Sequence, residues 1–276
     1  MLNLILAIVF SSLIAVVMRL GQRFSRNNIT MLAANYVMCT AAAVFLAGGL
    51  IPTGEGAALT MGLGSFCGVL YLLGFVLFQW NIHRSGVVLS STFQKLGVLV
   101  PTIAAMTVFG EAVRWVQLAG IAVAVLGIIV IQDRADKSDS HGVLGLLILL
   151  LCGGCGDVMS KVFQTWGNPA LGNYFLVFTF LVALVLCIGL CVVKKQSVTL
   201  PDVLWGFALG LPNYMASRFL LRALAEVPAV VVYPTFSVGS IIVVTLIGVL
   251  AFHEKVNKRK IIALGMILSA LVLLNV

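Results

Sequence analysis

The chain has 276 residues, 61% hydrophobic and only 9% charged, with a net charge of +8. Soluble domains carry ~25% charged residues, so this composition cannot cover a water-soluble fold and points to a bilayer as solvent. A nucleic-acid role is excluded as the source of the positive charge: Lys and Arg fall mainly in short breaks between apolar runs, and no basic stripe with interleaved aromatics occurs.

A transmembrane helix needs ~20 apolar residues. In chain order the apolar runs predict ten: 2–20, 30–50, 58–81, 86–109, 113–131, 142–163, 170–193, 201–223, 228–251 and 260–275. The first lacks the basic start and small-residue cleavage site of a signal peptide and reads as a permanent helix. Between helices 5 and 6, Gln132-Asp-Arg-Ala-Asp-Lys-Ser-Asp-Ser-His141 is the longest polar stretch. It reads as a linker over 132–141, joining a first half, 1–131, to a second, 142–276.

The halves resemble each other. Val87-Val-Leu-Ser-Ser-Thr-Phe93 leads to Phe109-Gly-Glu111, and Val230-Val-Val-Tyr-Pro-Thr-Phe236 leads to Phe252-His-Glu254. A shift of 143 pairs Thr92 with Thr235, Phe93 with Phe236, Phe109 with Phe252, Glu111 with Glu254 and Tyr71 with Tyr214. Five helices per half make the second half enter the membrane from the opposite side. The expected fold is therefore an all-α integral membrane protein of two inverted five-helix repeats, an architecture of secondary transporters whose substrate sites lie near the midplane. Twelve Lys and Arg fall in or beside the loops after helices 1, 3, 5, 7 and 9, and three beside the others. The positive-inside rule then places both termini outside the cytoplasm.

Phe109-Gly-Glu111 followed by Gly120, and Phe252-His-Glu254 followed by Gly265, with Pro101 and Pro234, resemble the drug/metabolite transporter superfamily in its EamA-like branch. The resemblance covers the whole chain. It implies an alternating-access carrier for amino acids, sugars, nucleotide sugars, phosphorylated metabolites or drugs.

The residues themselves narrow the substrate. Lys95 sits near the middle of helix 4, where a charge costs ~2.5–3.5 kcal/mol. It reads either as an anchor for a carboxylate or phosphate or as the structural partner of an acid. A lysine in this helix is similar to one in the nucleotide-sugar branch. Arg218 in helix 8 offers a planar fork for the same anions; Arg222, one turn on, can snorkel to the interface. Asn213 and Tyr214 follow Pro212, whose missing N–H frees a carbonyl. Tyr71 is the mate of Tyr214 and a candidate opposing wall. Asn35 and Gln94 hydrogen-bond either substrate or neighbouring helices. Asp157, after Cys152-Gly-Gly-Cys-Gly156, carries a coupling proton, balances Lys95, or pairs with Lys161. Glu111 and Glu254 read as structural helix ends.

The six cysteines all lie in apolar runs, and Cys152-x-x-Cys155 has no second pair to complete a metal site. No P-loop, GxSxG or HExxH occurs, so the chain reads as no enzyme and needs no cofactor. The expectation is a secondary active transporter of an anionic or zwitterionic metabolite in a bacterial-type inner membrane. It works as a monomer or homodimer, with membrane lipids as its other partners. A lipid or lipid-linked-sugar flippase and a non-transporting membrane scaffold are the competing readings.

Overall fold

A computed structural model describes residues 1–21, 24, 27–131, 140–252, 262, 265, 266, 268–270, 272 and 273. Every regular element among them is helical: α1 (Leu2–Gly21), α2 (Asn28–Ala47), α3 (Ala57–Leu96), α4 (Leu99–Thr107), α5 (Trp115–Ile131), α6 (Ser140–Trp166), a 3-10 turn (Pro169–Leu171), α7 (Gly172–Val193), α8 (Leu200–Glu226) and α9 (Ala229–Phe252). Half of the tenth expected helix, 260–275, lies outside the described residues, as do the 132–139 part of the linker and Glu254.

Among the described residues, five stretches are long and apolar enough to cross a membrane: Asn28–Ala47, Ala57–Asn81, Leu144–Trp166, Pro169–Val193 and Ala229–Ile247. Shorter apolar helices span Leu2–Met18 and Trp115–Gly127. Helix α8 is equally long but carries Asp202, Asn213, Arg218, Arg222 and Glu226, so its polarity sets it apart.

One boundary is corrected. The sequence reading ends a helix at 81 and begins the next at 86, with His83 and Arg84 in a loop. Helix α3 instead continues through these positions to Leu96, and the break falls at Gly97-Val98. Residues 82–86 contain no proline, and polar side chains alone do not interrupt a hydrogen-bonded helix.

The chain forms two compact units: Met1–Leu72 with Met159–Ala225, and Leu73–Val158 with Glu226–Val276. Each draws on both halves of the sequence.

In the first unit α2 packs against α7, its counterpart under the repeat shift. The two run antiparallel. Asn173 Nδ2 donates to the Leu46 carbonyl at 2.9 Å near one end, and Cys187 Sγ meets the Ile29 carbonyl at 3.7 Å near the other. Apolar burial gives no drive for helix association in lipid, so close backbone approach takes its place. Gly64 and Gly68 of α3 lie where a Cβ would come within 2.6 and 2.4 Å of the carbonyl oxygens of Phe175 and Thr179 on α7. Gly206 and Gly210 of α8 lie where a Cβ would come within 2.4 and 2.7 Å of those of Met31 and Asn35 on α2. The two clasps are the same arrangement with the halves exchanged, and in both the paired positions advance together, so the clasped helices run parallel.

In the second unit α4 and α5 pack on α9, with Ala124, Val238 and Ala270 forming a buried cluster. Gly154 of α6 approaches α4 so closely that a Cβ would meet Val100 Cβ at 2.5 Å and the Gly97 carbonyl oxygen at 2.6 Å. The glycine-rich stretch beside Asp157 therefore serves packing. After α4, Gly110 turns the chain with φ +64, and the Glu111 carboxylate accepts from the backbone N–H groups of Ala229 and Val230 at 3.0 and 2.9 Å. These are first-turn donors of α9 with no helical acceptor of their own.

Candidate functional site

The first unit holds five of the expected site residues: Asn35, Tyr71, Asn213, Tyr214 and Arg218. Tyr214 lies near the middle of α8. Pro212 just before it has no N–H for the Ala208 carbonyl, and the glycine clasp holds this stretch of α8 against α2. That contact brings Asn213 to Asn35, with Nδ2 donating to Oδ1 at 3.2 Å. Asn35 Oδ1 also faces Cys39 Sγ at 3.7 Å. Phe180 of α7 is the hub of an aromatic cluster, its ring centroid 6.3 Å from Tyr36, 6.3 Å from Tyr71 and 6.2 Å from Tyr214. Tyr71 and Tyr214, paired by the repeat, thus share one neighbour.

Two polar atoms in this layer are buried without a hydrogen-bond partner among the described residues: Asn35 Nδ2 and the Tyr214 hydroxyl. Both side chains are fully buried. An unpaired donor in an apolar interior costs about 1–3 kcal/mol, so a polar group that arrives there recovers that cost.

Tyr214, Arg218 and Arg222 follow at four-residue spacing on one face of α8, so Arg218 is about 6 Å and Arg222 about 12 Å along the axis from Tyr214. The two arginines line a cavity of about 240 Å³ together with Gln164 of α6, the Pro169-Ala170 turn, and Asn173 and Leu176 of α7. No acidic side chain is among its described lining residues. Arg218 is half-buried and its Nε is buried with no hydrogen-bond partner among the described residues; Arg222 is exposed. Gln164 Nε2 donates to the Leu221 carbonyl at 2.7 Å, and Asn173 is committed to Leu46, so both amides brace the cavity wall. A cavity with two guanidinium groups and no lining carboxylate is suited to a carboxylate or phosphate.

The sequence reading assigned Arg222 to the interface and passed over Gln164 and Asn173. Their signal was positional: both flank the Gly167-Asn-Pro169 turn, which faces the last turns of α8.

The remaining expected residues belong to the second unit. Gln94 is exposed on α3. Lys95 follows it on α3, but its side chain is outside the described residues. Asp157 is half-buried on α6, and its backbone carbonyl accepts from the Tyr233 hydroxyl at 2.6 Å. That contact joins α6 to the Tyr233-Pro234-Thr235 stretch of α9. None of the six cysteines is in a disulfide; Cys152 is buried and Cys155 exposed.

A helical chain with membrane-crossing segments, two like halves and a buried polar layer defines a polytopic membrane protein of the transporter type. The chain belongs to the EamA-like transporter family, whose model matches residues 1–132 and again 140–276. An uncharacterised protein of Haemophilus influenzae is 25% identical over 284 residues, covering 98% of this chain and 96% of its own length. A protein crystal structure superposes with a TM-score of 0.80 over 100% of this chain and 97% of that one, at 16% identity, which speaks to the fold alone.

Proposed function

We propose that the protein is a secondary active transporter of a small anionic or zwitterionic metabolite, working by alternating access in a bacterial-type inner membrane. The observation that carries the substrate class is Arg218: a guanidinium whose buried Nε has no partner among the described residues, lining a cavity with Arg222 and no described acid. A cation inside a membrane protein is costly and marks a ligand path. A lipophilic cation would meet only repulsion there. Asn35, Asn213 and Tyr214 supply polar groups about one turn nearer the middle of α8, where Tyr71 and Phe180 add aromatic surface.

The mechanism rests on the repeat. Helices α2 and α7 are counterparts and run antiparallel, which supports inverted halves. The cationic residues of the breaks, Arg84 within α3 excepted, lie on the cytoplasmic side in this reading. Lys95 on α3 is a candidate anchor for a carboxylate or phosphate in its own right, and Asp157 a candidate carrier of the coupling proton. Prolines 212 and 234 interrupt α8 and α9 internally and are the natural places for these helices to bend.

The test is thermal stability of the purified protein with amino acids, nucleotides, sugar phosphates and organic cations, in wild type and Arg218→Gln. A ligand at ~100 times its dissociation constant stabilises by ~2.7 kcal/mol. Stabilisation by an anionic or zwitterionic compound, lost in a folded Arg218→Gln, is the expected result. Stabilisation by organic cations alone overturns the substrate class. Stabilisation by lipids alone moves the flippase reading ahead.

A further inference from the structure

A second cavity, about 400 Å³, opens between α2, α7 and α8 at the opposite end of the first unit from the arginine pair. Its lining grades from polar to apolar. At the surface end stand Lys195, Gln196 and Thr30. Toward the other end the walls are Val37, Ile188 and Phe207, with Ala33 and Ala34 forming a small-residue floor. From Thr30 to Val37 and from Lys195 to Ile188 the walls descend about 10 Å. Val192, Val198, Ile188, Phe207 and Val37 are all exposed, so the groove opens sideways to whatever surrounds the helices.

The surface end is built and fixed. Asn27 Nδ2 donates to Gln196 Oε1, and Thr30 Oγ1 to the Ser197 carbonyl at 3.2 Å. Buried Asp202 accepts from the Asn27 backbone N–H at 3.2 Å and from Thr199 Oγ1 at 2.6 Å. The turn after α7 is thereby tied to the first turns of α2 and α8.

Lys195 occupies an unusual place in that turn. Its N–H bonds to the Val192 carbonyl and that of Gln196 to the Cys191 carbonyl, both at 3.0 Å, a Schellman closure of α7. The position it fills is left-handed, φ 48, and it is the only non-glycine residue with positive φ among the described residues. Glycine is the usual occupant, since a Cβ is strained there. A lysine kept in that position fits a demand for its charge at the mouth of the groove. The helix C-terminus rewards any nearby cation, but Lys194 already stands one residue earlier.

We propose that this groove is a binding site for an acidic phospholipid of the surrounding bilayer. The phosphate sits at Lys195 and Gln196, and an acyl chain lies along Val192, Ile188, Val37 and Phe207. The polar-to-apolar gradient matches a lipid and does not match a soluble anion, for which the lower walls offer nothing. Lys195, the cation among the described lining residues, selects an anionic headgroup over a zwitterionic one.

The experiment is a lipid titration of the full-length protein in detergent, read as thermal stability and as lipids retained in native mass spectrometry. The probes are dioleoyl phosphatidylglycerol, dioleoyl phosphatidylcholine and glycerol 1-phosphate. Phosphatidylglycerol is expected to stabilise wild type at lower concentration than phosphatidylcholine, and glycerol 1-phosphate to have no effect. Lys195→Gly relieves the backbone strain, so it folds. It should weaken phosphatidylglycerol about fivefold, the effect of one cation near a membrane surface, and so remove the preference. Lys195→Arg should keep the preference, and Val37→Trp, which fills the groove, should abolish binding of both lipids. The proposal fails if the two lipids act equally on wild type, if Lys195→Gly keeps the preference, or if glycerol 1-phosphate alone reproduces the shift.

Discussion

The Glu111 carboxylate caps the first turn of α9 through Ala229, accepting its backbone N–H at 3.0 Å with one oxygen while the other accepts from Val230 at 2.9 Å. These residues are far apart in sequence, and Gly110, at φ +64, provides the turn that lets the side chain arrive. A carboxylate here satisfies two orphan donors and opposes the positive end of the helix dipole. Glu111→Ala is expected to lower stability by about 1–2 kcal/mol, in the range of a lost helix cap. Glu111→Gln retains an acceptor without the charge and should fall between. Thermal unfolding in detergent ranks the three proteins, and a Glu111→Gln as damaging as Glu111→Ala would show that the charge, not the hydrogen bonding, dominates.

The paired glycine clasps make a prediction whose sign depends on two opposing effects. Ala is favoured over Gly inside a helix by about 1 kcal/mol. At Gly206 the new Cβ would lie 2.4 Å from the Met31 carbonyl oxygen, and at Gly68 2.4 Å from that of Thr179. Overpacking of this kind costs about 1–3 kcal/mol and the opposing atoms are backbone, so the clash wins. Gly206→Ala and Gly68→Ala should both destabilise. Gly62→Ala, with open space around it, should be neutral or stabilising. Comparing the melting temperatures of the three variants decides the matter.

The same contacts show what the sequence could and could not convey. Hydropathy was sufficient for an all-helical membrane protein, because burial in lipid leaves a composition that cannot be mistaken, and the two Phe-x-Glu motifs were sufficient for the family. The pairing of Tyr71 with Tyr214 was legible too, and the two meet at Phe180. The continuity of α3 was not, since His83, Arg84 and Ser85 look like a loop and yet contain no helix breaker. The clasps left a readable trace, glycines four apart at 64 and 68 and again at 206 and 210, but spacing alone does not name the opposing helix. For Arg218, depth and charge singled it out. Its cavity depends on Gln164 and Asn173 from two other helices, which no local pattern links to α8.

Tyr214 separates folding from function. Its hydroxyl is buried with no partner among the described residues. Tyr214→Phe removes that hydroxyl and keeps the ring against Phe180, so it should leave stability unchanged or raise it by up to about 1 kcal/mol. If the hydroxyl serves a substrate, uptake into proteoliposomes should show a raised KM in the same variant. Loss of stability without a change in KM would mean the hydroxyl is satisfied within the protein.

The two arginines should differ in how salt affects them. Arg222 is exposed, so its attraction for an anion is screened once the Debye length shrinks to ~10 Å near 0.1 M salt. Arg218 is half-buried with its Nε enclosed, and screening reaches it less. Arg222→Lys keeps the charge and is expected to change KM less than about threefold, with any effect fading as salt rises. Arg218→Lys replaces a planar fork by a point charge that cannot present the same parallel donors, a substitution that is not conservative at such a site. It should raise KM for a carboxylate or phosphate substrate by about tenfold, equivalent to one charge-assisted hydrogen bond, at low and high salt alike. Transport assays at two ionic strengths distinguish the pair. Equal salt sensitivity in both variants would place Arg218 among the solvated charges and remove it from the substrate path.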